Sequence, residues 1–340
     1  MPTSPIRRHI LNMPTSPIRR HILKLTSCAL ASLAMAGVAQ AQAWPARPIT
    51  LVVPYTPGGT TDNIIRAIQI KLSQQLGQQI IIENRSGASG NVGNRFVAHA
   101  APDGYTIGIM PTTVGTFPLM SQTLGYDPLT DLAYIGTVAE TPSILIVRKD
   151  SPVRTMQDLV NLARTRSGGI NVGSGGVGGA GHLVILTLGK LNNFPVTHVA
   201  YKGTATAVTD VIGGNIDAAS MAIGGVKGQV DGGLVRPILV AADERSPILP
   251  DVPVMRDFNM KSVNGGVGYV LAAPAKTPAD VIEKLHAALD RVLQDREVIE
   301  KMRSISFVPM RKTLAGTRKE VEEQTATWAP VIKELGLKLE

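Results

Sequence analysis

From residue 49 onward, short β-branched apolar runs alternate with segments of helical period, and the alternation occurs as two similar series. In the first, "ITLVVPY" (49–55), "QQIIIEN" (78–84) and "YTIGIM" (105–110) read as strands, separated by the helical "DNIIRAIQIKLSQQLG" (62–77) and "NVGNRFVAHAAP" (91–102). The second follows the helical "SPVRTMQDLVNLART": "INVGSGG", "HLVILTLGKLNN", "VTHVAYKG", "AVTDVIGGN" and "IDAASMA". Strands joined through helices imply crossover connections and a mainly parallel sheet covered on both faces. The expected fold class is therefore α/β, with two Rossmann-like lobes.

The first 43 residues stand apart. They carry five basic side chains (Arg7, Arg8, Arg19, Arg20, Lys24), no acidic one, an apolar run from Cys28 to Ala39, and Ala41-Gln42-Ala43 before Trp44. That order of charged, apolar and small residues is a secretory signal, and its apolar core is shorter than the ~20 residues of a spanning helix. Residues 1–43 are thus expected to be a signal peptide of an exported, soluble protein. "MPTSPIRRHIL" occurs at 1–11 and again at 13–23, so Met1 and Met13 are both candidate starts. "RRHILK" (19–24) resembles a twin-arginine signal, leaving the general and twin-arginine export routes both open. "LTSC" precedes the apolar core, where a lipidation box would follow it.

Setting the leader aside lowers the formal charge from +8 to +3 and removes Cys28, the one cysteine. No cluster of Lys and Arg remains that would suggest nucleic acid, and a chain without cysteine has neither disulfide nor thiol nucleophile. The remaining length of about 297 residues suits two domains of ordinary size. At the C-terminal end, Leu285, Ala288, Leu289 and Val292 form the stripe of a helix lying on a sheet, with His286 at its boundary.

In an open parallel sheet, ligands collect beyond the carboxyl ends of the strands, where loops lead into helix N-termini. "YTPGGTTDNIIR" (55–66) occupies such a place: Gly58 and Gly59 permit close backbone approach, Thr60 or Thr61 can cap, and the first-turn N–H groups attract an anion. Similar loops recur in "ENRSGASGNVGN" (83–94), "MPTTVGT" (110–116), "GSGGVGGAGH" (173–182) and "YKGTATA" (201–207). Several anion-friendly loops from two lobes facing one cleft point to a small acidic ligand. Asp62, in a first helical turn, reads as a loop-shaping residue as well as a site residue. His182 reads as packing or capping its helix start, or as a ligand contact, and Lys202 as a surface residue or a steering charge. Asp217 reads as structural.

An enzyme reading meets obstacles. "GSGGVG" (173–178) matches G-x-G-x-x-G, but the acidic residue expected about 20 positions on is missing, the next acid being Asp210. His99, His182, His198 and His286 are scattered without metal-ligand spacing, and Ser174 lacks the G-x-S-x-G pattern. No catalytic residue, metal or cofactor is expected.

Taken together, "WPARPITLVVPYTPGGTTDNIIR", "GQQIIIENRSGASGNVG", "AAPDGYTI", "GYDPLTDLAYIG", "HVAYKGTATAVTDVIGGNID", "ERSPILPDVP" and "LAAPAKTPADVIEKL" resemble the Bug receptor family across essentially the whole chain after the leader. These are the periplasmic substrate-binding receptors of tripartite tricarboxylate transporters. The resemblance implies a periplasmic-binding-protein (flytrap) architecture whose lobes are joined by crossing strands, with lobe 1 at 44–147 plus 265–340 and lobe 2 at 148–264. It implies a small organic carboxylate as ligand, membrane permease subunits as partners, and a monomer that is not an enzyme; a periplasmic hydrolase, or a sensor-only binding protein, is the alternative. Position by position it points to Tyr55, Gly58, Gly59, Thr60 and Asp62, to Asn84, Gly87 and Gly90, and to Thr112 and Thr113. In the second lobe it points to Ser174, Gly178, Ala180, His182, Tyr201, Lys202 and Gly203.

The second lobe departs from the family pattern. Gly179, Ala180 and Gly181 stand before His182 where relatives carry hydroxyl residues, Met221 and Ala222 replace an Asp-Asn pair, and Gly268 replaces an aromatic, with Tyr269 next to it. The expectation is a more apolar and roomier site, suited to a larger or partly hydrophobic monocarboxylate, aromatic acids included.

Overall fold

The computed structural model describes Trp44–Leu339 apart from Asp243, Pro247, residues 260–262 and Asn264. The expected signal peptide lies outside the described residues. The chain divides into two units, residues 1–46, of which 44–46 are described, and residues 47–340, which hold every element below.

The apolar runs form strands where expected. β1 (Ile49–Val53), β2 (Ile80–Asn84) and β3 (Thr106–Pro111) pair in parallel, and Ile49, Leu51, Val53, Ile107 and Ile109 are fully buried between helical layers. Helix α1 (Thr60–Leu76) covers them with Ile64, Ile65, Ile68 and Leu72 and stops at Gly77, which takes the left-handed conformation glycine adopts without Cβ strain. α2 (Asn91–Ala98) leads into β3. The second series repeats this plan: α3 (Met156–Thr165), β5 (Ile170–Ser174), α4 (Ala180–Leu191), β6 (Val196–Ala200), α5 (Thr204–Gly213) and β7 (Ala218–Ala222), with β5 parallel to β6 and β7.

One long strand links the two series. β4 (Leu132–Arg148) pairs antiparallel with β9 (Gly266–Pro274) along residues 132–142, then with β7 and β8 (Val235–Ala241) along residues 143–148. The change of partner falls at Pro142, which has no N–H to give to a ladder, and Ser143 N–H donates to Gly265 O at 2.9 Å. β9 also pairs antiparallel with β3, and β10 (Val308–Pro309) with β4. Each βαβ series is parallel, while these crossing strands add antiparallel pairings, so the sheet as a whole is mixed. β4, β8 and β9 were not evident from periodicity because runs buried on both faces show no alternation.

The C-terminal helices lie against the first series. α7 (Ala279–Val292) buries Leu285, Ala288, Leu289 and Val292; a Cβ on Gly136 in β4 would stand 2.7 Å from Leu289 Cδ2, so the glycine lets this helix approach the sheet. His286 donates its Nδ1–H to Ile135 O at 2.7 Å. α8 (Arg296–Ser304) and α9 (Leu314–Leu335) follow, after the short α6 (Lys227–Asp231) of the second series. No helix among the described residues is long and apolar enough to cross a membrane.

Candidate functional site

At the carboxyl ends of β1, β5 and β7 a cavity of about 70 Å³ opens between loops of the two series. Three helix starts line it: Thr60 and Thr61 of α1, Ala180 and Gly181 of α4, and Thr204 of α5. Each of these helices follows a glycine (Gly59, Gly179, Gly203), and none has a side-chain cap. Elsewhere α3, α8 and α9 are capped by the side chains of Thr155, Asp295 and Thr313, while α2, α6 and α7 also lack side-chain caps but do not line the cavity. First-turn N–H groups without an internal acceptor carry the positive end of the helix dipole. No Lys, Arg, Asp or Glu lines the cavity, so the polar partners of an anion there would be backbone N–H groups and hydroxyls.

Two of these helix starts share one geometry. Gly58 and Gly178 have φ of +77° and +76°, and Gly59 and Gly179 are extended N-caps. The side chain at the third helical position turns back to accept the N–H of the positive-φ glycine: Gly58 N–H to Asp62 Oδ2 at 2.9 Å, and Gly178 N–H to His182 Nδ1 at 3.0 Å. Asp62 also accepts from Arg66 Nε at 2.7 Å and Asn84 Nδ2 at 3.1 Å. Burial pushes its pKa up, but the hydrogen bonds from Arg66, the Gly58 N–H and Asn84 outweigh this and hold it below the ordinary carboxylate value. Asn84 Nδ2 donates also to Tyr55 O, joining β2 to the loop.

Hydroxyl groups join the two halves of the site. Thr60 Oγ1 and Thr204 Oγ1 are 3.1 Å apart, and Tyr55 donates its hydroxyl to Ser89 O at 3.4 Å. Loss of hydration raises the pKa of Tyr55 and of Tyr269, keeping both phenols neutral. Ser174 lies within hydrogen-bond reach of His198 Nε2 at 2.7 Å, and His198 stacks on His182 with ring centroids 3.8 Å apart. Burial pushes His198 down to about 4; burial, with the neighbouring imidazole, pushes His182 down to about 3.

Of the residues expected from sequence, Tyr55, Thr60, Ser174 and Ala180 line the cavity. Asp62, Asn84, Gly178 and His182 stand behind it in the braces just described. Gly59 and Gly203 are the N-caps; a Cβ on Gly203 would stand 2.6 Å from Thr56 Oγ1. Gly87 and Gly90 turn the β2–α2 loop, and a Cβ on Gly90 would stand 3.0 Å from the Tyr55 ring. Thr112 accepts the Gly268 N–H at 3.1 Å, beyond the cavity wall, and Thr113 is fully buried. Gly58 faces an outer groove beside Arg66. Tyr201 donates to Asp210 Oδ2 at 2.5 Å, and Lys202 is exposed; neither lines the cavity. Asp217 pairs with Arg166 at 2.7 Å.

Sequence reasoning missed Ser89, Pro111 and Ser220 as lining residues, and Thr204, whose place after Gly203 repeats the Gly-Thr signal of the first loop. Met221, Ala222, Val267 and Tyr269 supply apolar lining. The cavity, at about 70 Å³, is roughly half the ~150 Å³ of one that takes benzene. Tyr55 and Tyr269 both line it, and the Thr60–Thr204 contact draws the loops together. Among the described residues no group of His, Cys, Asp and Glu is arranged to hold a metal ion.

Residues 64–337 match the model of the tripartite tricarboxylate transporter family receptor. Among solved structures, the periplasmic binding protein BugD is 31% identical, with a TM-score of 0.82 over 87% of this chain and 99% of that one. A Rhodopseudomonas palustris protein with adipate is 31% identical, with a TM-score of 0.83 over 87% and 99%. MatC from Rhodopseudomonas palustris, with bound malate, is 30% identical, with a TM-score of 0.81 over 85% and 100%. BugD is a periplasmic binding protein, and the other two structures hold carboxylates. The chain belongs to the Bug receptors, the tripartite tricarboxylate transporter receptor family.

Proposed function

We propose that this substrate-binding receptor captures a small organic carboxylate between two lobes, residues 44–147 with 265–340 and residues 148–264, and presents it to membrane permease subunits. The observation that carries the reading is the convergence of three glycine-capped, side-chain-uncapped helix starts on one cavity without a charged side chain. A carboxylate there exchanges water for fixed N–H donors and helix-dipole charge. Malate and adipate in the related structures support the same ligand class. The proposed contacts are Tyr55, Thr60 and Ser174 with the first turns of α1, α4 and α5, and Gly58, Asp62, Asn84, Gly178 and His182 hold those turns in place. Closure is stabilised by contacts a ligand makes with both lobes at once.

We place the receptor in the periplasm, exported by residues 1–43 and acting as a monomer without catalysis. Ser174 and His198 have the spacing of a nucleophile and base. Yet His198, pushed down to about 4, is a poor base at neutral pH, and no carboxylate orients its Nδ1 among the described residues.

The test is a thermal-shift and calorimetric screen of the protein against malate, adipate, short monocarboxylates, amino acids and aromatic acids. A ligand at a hundredfold its Kd adds about 2.7 kcal/mol, a rise of about 4 °C for this size. A shift with compact carboxylates is expected; shifts confined to uncharged compounds would overturn the carboxylate assignment.

A further inference from the structure

Ser174 ends β5, lines the cavity and is 1% exposed. A serine hydroxyl has one proton to give and two lone pairs to fill. The Gly176 N–H takes one lone pair, at 3.2 Å. His198 Nε2, reaching from β6 at 2.7 Å, either fills the second lone pair or accepts the proton. The outcome decides what the cavity sees. If His198 donates, both lone pairs are used and the hydroxyl proton remains, resting on Gly176 O at 3.0 Å until a better acceptor arrives. If His198 accepts, the proton is consumed and a lone pair faces the cavity, repelling a carboxylate.

We propose that His198 is a positioning residue of the ligand site: in its Nε2–H tautomer it donates to Ser174 and so presents the Ser174 hydroxyl to the cavity as a donor. The proposal rests on the carboxylate reading above, since only an anionic or acceptor ligand needs a donor there. The stacked His182 ring supports it. Its Nδ1 accepts the Gly178 N–H, which fixes its own Nε2–H tautomer, and at 3.8 Å and 32° it packs the His198 ring against β5. Burial keeps both rings neutral near pH 7, so the tautomer, rather than a charge, sets the polarity of Ser174.

The first arm of the test needs no ligand. In the two-bond proton–nitrogen NMR spectrum of the full-length protein, His198, assigned by its loss in His198→Gln, should show the Nε2–H pattern; an Nδ1–H pattern overturns the proposal. The second arm measures Kd by calorimetry with malate and adipate as probes. Ser174→Ala and His198→Leu should each weaken the bound probe roughly tenfold, the loss of one hydrogen bond to a charged group. Their double variant should lose no more than either alone, and His198→Gln, which restores an N–H donor, should recover most of the affinity. Additive losses, or no recovery with Gln, would refute the positioning role even in a folded protein. If neither probe binds, the malate-like and adipate-like readings of the ligand fail, and the tautomer still decides the role of His198.

Discussion

The loops that open α1 and α4 are the same device built twice with different chemistry. Both run through a positive-φ glycine and an extended glycine cap, and both tie the first glycine's N–H to the side chain at the third helical position. In the first loop that side chain is Asp62, a carboxylate surrounded by Arg66 and Asn84; in the second it is His182, a neutral imidazole stacked on His198. Between cap and brace, the first loop carries Thr60 and Thr61 and the second Ala180 and Gly181. The backbone geometry therefore requires only an acceptor at that position, and hydroxyls and charge are free to vary. The variation gives the first turn of α1 two hydroxyls and the first turn of α4 none, so on the second side hydroxyls come from Ser174, Thr204 and Ser220 instead.

The sharpest way to break the parallel is at the second helical position. Thr61 has room for a side chain, whereas a Cβ on Gly181 would stand 2.0 Å from Ser220 O and 2.6 Å from Ser220 C, backbone atoms of β7 that cannot rotate away. Gly181→Val should cost on the order of 4 kcal/mol by denaturant unfolding, while Thr61→Val costs under about 1.5 kcal/mol. Comparable costs would mean that α4 can move off β7.

Removing the braces comes next. Asp62→Ala leaves the Gly58 N–H, Asn84 Nδ2 and the Arg66 guanidinium without their shared acceptor, at a cost of about 3 kcal/mol. His182→Ala frees one neutral N–H and opens a cavity, at about 2 kcal/mol. If the imidazole variant were the less stable of the two, the charged network would contribute less than its bond count suggests.

Acid separates the loops in a different way. His182 and His198 are held neutral in the folded protein down to about 3 and about 4, against 6.5 when unfolded. Between pH 6.5 and 4 the unfolded chain binds the protons, so stability is fully present above pH 6.5 and falls as pH drops through this window. A loss on the order of 5 kcal/mol between pH 7 and pH 4.5, about half from each imidazole, is expected from thermal unfolding, and it should shrink by about half in His182→Gln. Asp62, its carboxyl held below the ordinary value, begins to lose its contribution only below that window. A loss unchanged in His182→Gln would assign the acid sensitivity elsewhere.

These loops also show how far the residues alone carry the reading. Glycine before a helix is visible in a sequence, so the first-turn positions Thr60 and Ala180 could be placed at the site. The fold class was equally visible, because strand and helix periods alternate. The brace partners were less so: Asp62–Asn84 and His182–His198 join residues that only sheet register brings together. The shape of the cavity was hidden for a related reason. Smaller side chains at 179–181 and 221–222 suggested space, but where the Tyr55 and Tyr269 rings lie depends on β1 and β9, and β9 left no periodic signal.

The smallest test separates backbone from packing at the matched glycines. Gly58 and Gly178 have nearly the same φ, so alanine imposes nearly the same left-handed strain at each, about 1 kcal/mol. Around Gly58 a Cβ would find no heavy atom within 4 Å; around Gly178 it would stand 2.3 Å from Met120 Cε and 3.1 Å from Phe117 Cε1. Gly58→Ala should therefore cost about 1 kcal/mol. Gly178→Ala should cost roughly 1 kcal/mol more, because Met120 must leave its rotamer to make room. Equal costs would show that Met120 yields freely, and the two loops would then differ in the chemistry of their braces and not in how tightly the molecule is packed around them.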